Sequence, residues 1–176
     1  MSAAWTFLPV LGAPILHAPV LRWDLLPGLQ RPISRRWFGA NKTWRGALVM
    51  TVGTVGAALV LHRIPAYRRR LPPPIVAANP ALVGVLLGLA VWTGELPNSF
   101  LKRRLGIAPG EQQDSPVGVV LSIFDQADWV PVAWLLLRPV WKMTPREAAQ
   151  VFTTVAIVHV PINVVGYAIG ARHAPR

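Results

Sequence analysis

Long stretches without formal charge fix what this chain can become. Four of them, 1–21, 46–62, 71–94 and 148–171, contain no Asp, Glu, Lys or Arg, and a fifth, 115–137, is broken only by Asp125 and Asp128. Each is close to the ~20 residues a helix needs to cross a hydrocarbon core. A soluble core would spread its apolar residues among charged ones with a helical or strand period. Here the hydrophobic share, 53% of 176 residues, is gathered into blocks instead. The pattern predicts an all-α, polytopic membrane protein of about five transmembrane helices, a single domain over residues 1–176.

The remaining charge lies between the blocks, with 18 Lys and Arg against seven Asp and Glu. Such a surplus suits nucleic acid, where neutralised phosphates release counterions. A nucleic-acid-binding domain, however, does not devote most of its length to lipid-compatible runs. In membrane-protein loops the same cations orient the chain, meet anionic membrane lipids or hold a phosphorylated substrate. With the amino terminus outside, the cytoplasmic loops (22–45, 102–104, 172–176) carry most of the cations, and 63–70 and 138–146 carry the rest. The positive-inside tendency therefore predicts a multi-pass protein of the cell membrane whose polar pocket faces the cytoplasm. The chain has no cysteine, hence neither a disulfide framework nor a thiolate metal site. Its apolar start lacks the basic region of a cleavable signal and is expected to be retained.

Pro9, Gly12, Pro14 and Pro19 predict a kinked or partly unwound first helix. The second, GALVMTVGTVGAALVLH, has glycines spaced for close helix packing, within the chain or in a homodimer. The third, ALVGVLLGLAVWTG, runs on into GELPNSFLKRRLG, which would set Glu95, Ser99 and Lys102 or Arg103 on one face. A polar loop, IAPGEQQDSP, carries Asp114 ahead of the aspartate-bearing fourth helix. Thr144, Pro145 and Glu147 read as the cap, N1 proline and N3 acid of a last helix near 147–170.

An ionised carboxylate in hydrocarbon costs at least a few kcal/mol, so Asp125 and Asp128 are functional candidates. Three apart on a helix, they share a face and repel unless a cation lies between them, and oxygen-only ligands suit Mg²⁺. The alternative is an arginine partner for each, or capping of a helix broken near Pro131. Glu95 closes a charge-free run, as a third metal ligand or as the partner of Lys102. Lys102, Arg103 and Arg104 are either the basic anchor of a cytoplasmic helix end or ligands for phosphate. In FGANKTWRG, Gly39 and Gly46 bracket Asn41, Lys42, Thr43 and Arg45. Small residues let backbone amides approach an anion, while Lys and Arg add charge and bidentate contacts. The spacing is not that of a Walker loop, and lipid headgroups are the competing ligand. No Ser–His–acid set is evident, and His159 reads as a packing residue. Metal and phosphate binders without a nucleophile suit transfer between phosphates, where catalysis is positioning plus charge neutralisation. Beside a membrane, that points to a lipid phosphate attacking a nucleoside triphosphate.

FGANKTWRG, GELPNSFLKRRLG, FDQADWV and HVPINVVGYAIG, in that order and spacing, resemble the CDP-archaeol synthase family, relatives of the CDP-diacylglycerol synthases. The resemblance covers nearly the whole chain. The larger synthase family carries Ser-x-x-Lys-Arg and later Asp-x-x-Asp, which fall here on Ser99, Lys102, Arg103, Asp125 and Asp128. What this implies is a CTP-dependent cytidylyltransferase. An archaetidic-acid-like or phosphatidic-acid-like lipid phosphate attacks the α-phosphorus of CTP, giving a CDP-lipid and pyrophosphate. By the same resemblance Asp125 and Asp128 hold Mg²⁺ with Glu95 assisting. Lys42, Arg45, Lys102 and Arg103 neutralise the phosphates, and Asn41, Thr43, Ser99 and Arg104 complete the binding set. The rival readings are a transporter or cation relay built on the intramembrane carboxylates, and a non-catalytic scaffold for anionic lipid.

Overall fold

The computed structural model describes residues 3–108, 117, 120, 121 and 124–168, the side chains of 159–168 excepted. The Asp114 loop, most of the run ahead of Phe124 and the His159 side chain lie outside these residues. Among the described residues the regular structure is helical, with one isolated bridge, Pro32 to Thr43, and no strand.

The proline-rich start winds as a 3-10 helix over Ala3–Leu11 before becoming α1 (Gly12–Arg22). Pro9, which has no N–H to give a helical ladder, lies within this irregular start, as the sequence led one to expect. Ser34 caps a four-residue α2 (Arg35–Phe38), which Gly39 ends at φ 90°, a conformation that favours glycine. Thr43 then caps α3 (Trp44–His62), its Oγ1 accepting from Gly46 N at 3.1 Å. The short helices α4 (Pro65–Arg68) and α5 (Pro73–Ala77) turn the chain. Asn79 caps α6 (Pro80–Arg104), which runs straight through Pro97. After α7 (Trp129–Leu136), the expected capping box opens α8 (Pro145–Ala168). Glu147 Oε2 accepts from Thr144 N at 2.8 Å, and Thr144 Oγ1 accepts from Glu147 N at 3.3 Å.

Close approaches through small residues hold α1, α3 and α6 together. A Cβ on Gly12 would meet Gly53 O at 2.2 Å, one on Gly84 would meet Val55 Cα at 2.7 Å, and one on Gly88 would meet Thr51 Cα at 2.6 Å. The pairs run 84 with 55 and 88 with 51, so α3 and α6 are antiparallel. Gly53 thus fills the packing role expected of the second helix, whereas Gly56 faces open space.

Three segments, Ala3–Arg22, Trp44–His62 and Pro80–Arg104, are long and apolar enough to cross a membrane. Leu48, Val52, Leu59 and Val60 form an exposed stripe on α3, as lipid contact requires. On the same helices Thr51, Thr54 and Thr93 return their hydroxyl protons to carbonyls one turn back. That leaves no polar atom of theirs for lipid to solvate.

The fourth run departs from the single helix expected of it. Asp125–Asp128 form a turn, and α7 begins only at Trp129. Pro131 cannot donate to Ala127 O, and Val130 N does so instead at 3.0 Å, one residue early. The aspartates therefore sit on a turn, not on one face of a continuous helix.

Candidate active site

The polar motifs meet at one end of the bundle, where α3 begins and α6 runs past it. The Trp44 and Trp92 rings, with centroids 6.3 Å apart, mark the level at which α3 starts beside α6. From Glu95 onward α6 extends beyond that level and carries its acid and basic residues with it.

Four arrangements build the site. Lys42 pairs with Glu95 Oε2, joining the loop before α3 to α6. Arg45 has a side chain only 4% exposed, and its Nη1 donates to Asp24 Oδ1 at 2.6 Å and to Leu25 O at 3.2 Å. Lys102 pairs with Asp125 Oδ2, while Asn98 Nδ2 donates to Asp125 Oδ1 at 2.5 Å and to Leu121 O at 3.3 Å. Asp128 differs from all of these: both its carboxylate oxygens are buried without a hydrogen-bond partner among the described residues. Glu95, Asp125, Lys42 and the Asn98 amide lie within electrostatic reach of it.

The stripe expected on α6 is present, but it runs Glu95, Asn98, Lys102, at i, i+3 and i+7. Ser99 is buried beside it. Arg103 buries Nε and Nη1 without a partner among the described residues. Arg104 lies over the Phe100 ring at 4.9 Å, so its charge rests on the helix surface. Thr43 spends its hydroxyl on the α3 cap.

A cavity of about 690 Å³ opens at this end, within the size range of small-molecule sites. Asn41, Lys42, Thr43, Arg45 and Glu95 line it, as do His17, Gln30, Arg35 and Trp92. Asp125, Asp128, Ser99, Lys102 and Arg103 are outside its lining and continue the polar ground along α6. The motifs thus form two adjoining patches, a cationic cavity and a carboxylate turn, bridged by Glu95.

Among the described residues no three His, Cys, Asp or Glu side chains are gathered tightly enough to cage a metal. A Mg²⁺ site needs less, because that ion keeps waters and substrate phosphates beside one or two carboxylates. Two buried carboxylate oxygens without partners, beside a second aspartate, fit such an ion.

Asn98, Asp24, Trp92, His17 and Gln30 enter the site without having been singled out from sequence. Asn98 left a faint signal, lying one turn after Glu95. Asp24 left none, because its partner Arg45 is 21 residues away.

The family model for CDP-archaeol synthase (CarS-like) matches residues 28–175. The chain is 33% identical over 166 residues to a CDP-archaeol synthase of Halobacterium salinarum, covering 86% of each chain. It is 32% identical over 179 residues to that of Pyrococcus furiosus, covering 99% of this chain and 97% of the relative. The figure for the Halorubrum lacusprofundi protein is 34% over 166 residues, 86% of this chain and 87% of the relative. No solved structure matches.

Proposed function

The chain belongs to the CDP-archaeol synthase family, and from that premise we propose how its residues carry the reaction. The activity is CTP-dependent cytidylyl transfer to a lipid phosphate. An oxygen of the lipid phosphate attacks the α-phosphorus of CTP, and the bond to the β-phosphate breaks. The products are a CDP-lipid and pyrophosphate. The attacking oxygen is already anionic near neutral pH, so no general base is needed, and the work is positioning and charge neutralisation.

The observation that carries the assignment is how the charges are paired. Glu95 and Asp125 each hold a lysine, Lys42 and Lys102, while both buried oxygens of Asp128 lack a hydrogen bond among the described residues. Phosphates reaching this end compete for the two lysines and free the two carboxylates. Lys42 and Arg45, in the cavity wall, bind the triphosphate, with Asn41 as polar support. Lys102 and Arg103 neutralise charge beside the turn. Asp24 and Asn98 position Arg45 and Asp125. Asp128 and Asp125, with Glu95 beside them, are the residues that would hold Mg²⁺. When bound there, the ion supplies positive charge to the phosphate oxygens as they develop charge.

The distribution of cations supports a multi-pass arrangement with this end in the cytoplasm. With 24 residues, α8 measures about 36 Å, enough for a further crossing. The relatives' names make an archaeol-type lipid phosphate the first acceptor to offer, with phosphatidic acid beside it.

Equilibrium dialysis of labelled CTP against purified protein tests the site apart from turnover. Lys42→Met and Arg45→Met are each expected to weaken CTP binding on the order of tenfold or more, whereas Arg138→Ala, at the other end of the bundle, leaves it unchanged. Equal binding by all four proteins contradicts the site.

A further inference from the structure

We propose that segment 23–38 lies flat in the headgroup region of the bilayer and is the side from which the acceptor lipid reaches the cavity. The proposal rests on the cytidylyltransferase reading for the identity of the acceptor, and on structure alone for the position of the segment.

Between α1 and α3 the chain exposes Trp23 (66%), Leu25, Leu26, Leu29 and Trp37 (52%). An apolar surface of that kind marks an interaction site when it faces outward. Its chemistry selects the membrane over a protein partner. Arg22, Arg31 and Arg36, all exposed, are interleaved with the apolar residues. Arginine stems with tryptophan rings are the makings of an interfacial layer on anionic lipid. The one acid of the segment, Asp24, is already paired with Arg45, so it does not oppose the headgroups. The segment is also continuous with lipid-compatible surface, since the two stretches it joins, Ala3–Arg22 and Trp44–His62, are long and apolar enough to span.

The level fits as well. Trp44 and Trp92, at the start of α3 and beside the cavity, form the aromatic layer of this end of the bundle. The same segment then turns inward, where Gln30, Pro32, Ile33 and Arg35 form part of the cavity wall. One face of 23–38 meets the bilayer while the other borders the site. A lipid passing along it can leave its chains in hydrocarbon and bring only its phosphate into the cavity, beside the triphosphate held by Lys42 and Arg45. The apolar cavity residues Leu21, Ile33, Met50 and Leu96 accommodate the first carbons behind that phosphate.

The natural chain has no cysteine, so one introduced thiol takes one label. Leu25→Cys and, separately, Leu29→Cys are spin-labelled in liposomes containing phosphatidylglycerol, and collision with oxygen is compared with collision with a water-soluble nickel chelate. Oxygen is expected to dominate at both positions. Domination by the chelate at both places the segment in water and overturns the proposal. In a second arm, Leu26→Glu with Leu29→Glu is expected to raise the KM for lipid phosphate on the order of tenfold with the KM for CTP unchanged. An unchanged lipid KM overturns the access route. Absence of turnover in the unsubstituted protein would instead count against the cytidylyltransferase reading, while the labels still decide where the segment lies.

Discussion

Gly94 and Trp129 are in backbone contact: a Cβ on Gly94 would lie 2.3 Å from Trp129 Cα and 3.0 Å from Trp129 N. Each residue of that contact is chain neighbour to an acid, Glu95 on α6 and Asp128 at the end of the turn. The contact therefore sets how closely the two carboxylates approach. Gly94→Ala is expected to cost about 1–3 kcal/mol by overpacking. It should lower kcat by more than its stability loss explains, measured on the folded fraction at saturating CTP and lipid. Unchanged kcat would mean that the spacing of Glu95 and Asp128 is unimportant.

Among the described residues, Asp128 is the carboxylate of the site whose two buried oxygens lack a hydrogen bond, and it is the residue proposed to hold the cation. Asp128→Asn keeps shape and removes charge. A loss of activity at least on the order of a hundredfold is expected, from the several kcal/mol a metal contributes to charge stabilisation. Removing an unpaired buried charge also relieves desolvation, so thermal stability should hold or rise. A variant that unfolds instead would show that Asp128 has a structural partner.

Asn98 holds Asp125 from the side opposite Lys102. Asn98→Ala frees Asp125 Oδ1 and leaves it exposed to the lysine alone. The expected result is a higher Mg²⁺ requirement, read as the concentration giving half-maximal rate, with little change in the KM for CTP. Asn98→Ser, which can still donate, should recover part of the loss. Failure of serine to restore anything would assign Asn98 to packing.

The pair Arg45–Asp24 links the interfacial segment to the cavity. Asp24 stands at φ 45°, a left-handed conformation that asparagine also tolerates, so Asp24→Asn removes charge without adding backbone strain. Because Asp24 is 66% exposed, the ion pair is screened, and about 1 kcal/mol of stability is at stake. The larger effect expected is on the KM for CTP, since Arg45 loses the group that aims it. Denaturant titration beside steady-state kinetics separates the two.

Much of the architecture was legible because membrane spans leave a mark that needs no tertiary knowledge. Charge-free blocks gave three helices of spanning length, and Thr144 with Glu147 gave the start of α8, because a capping box is complete within four residues. The passage of α6 through Pro97 was readable too, since the polar stripe continues on its far side. What could not be read depends on distant residues. The turn at Asp125–Asp128 follows from a proline three residues on, whose missing N–H shifts the ladder, and from Asn98 and Lys102 across the helix pair. Lys102 pairs with Asp125, not Glu95, and the loop before α3 brings Lys42 to Glu95, partners 23 and 53 residues apart in the chain. Gly94 looked like any glycine of a membrane helix until Trp129 was placed against it.

The most direct test of the central claim is transfer of label from CTP carrying it on the α-phosphate into lipid, by purified protein in liposomes with Mg²⁺. An archaeol-type lipid phosphate and phosphatidic acid are offered separately, with Asp128→Asn as control. The account predicts lipid-soluble label with one acceptor or both, requiring divalent metal, absent in the variant, and matched by release of pyrophosphate. Label that stays in the aqueous phase with both acceptors while CTP is neither bound nor consumed would contradict it.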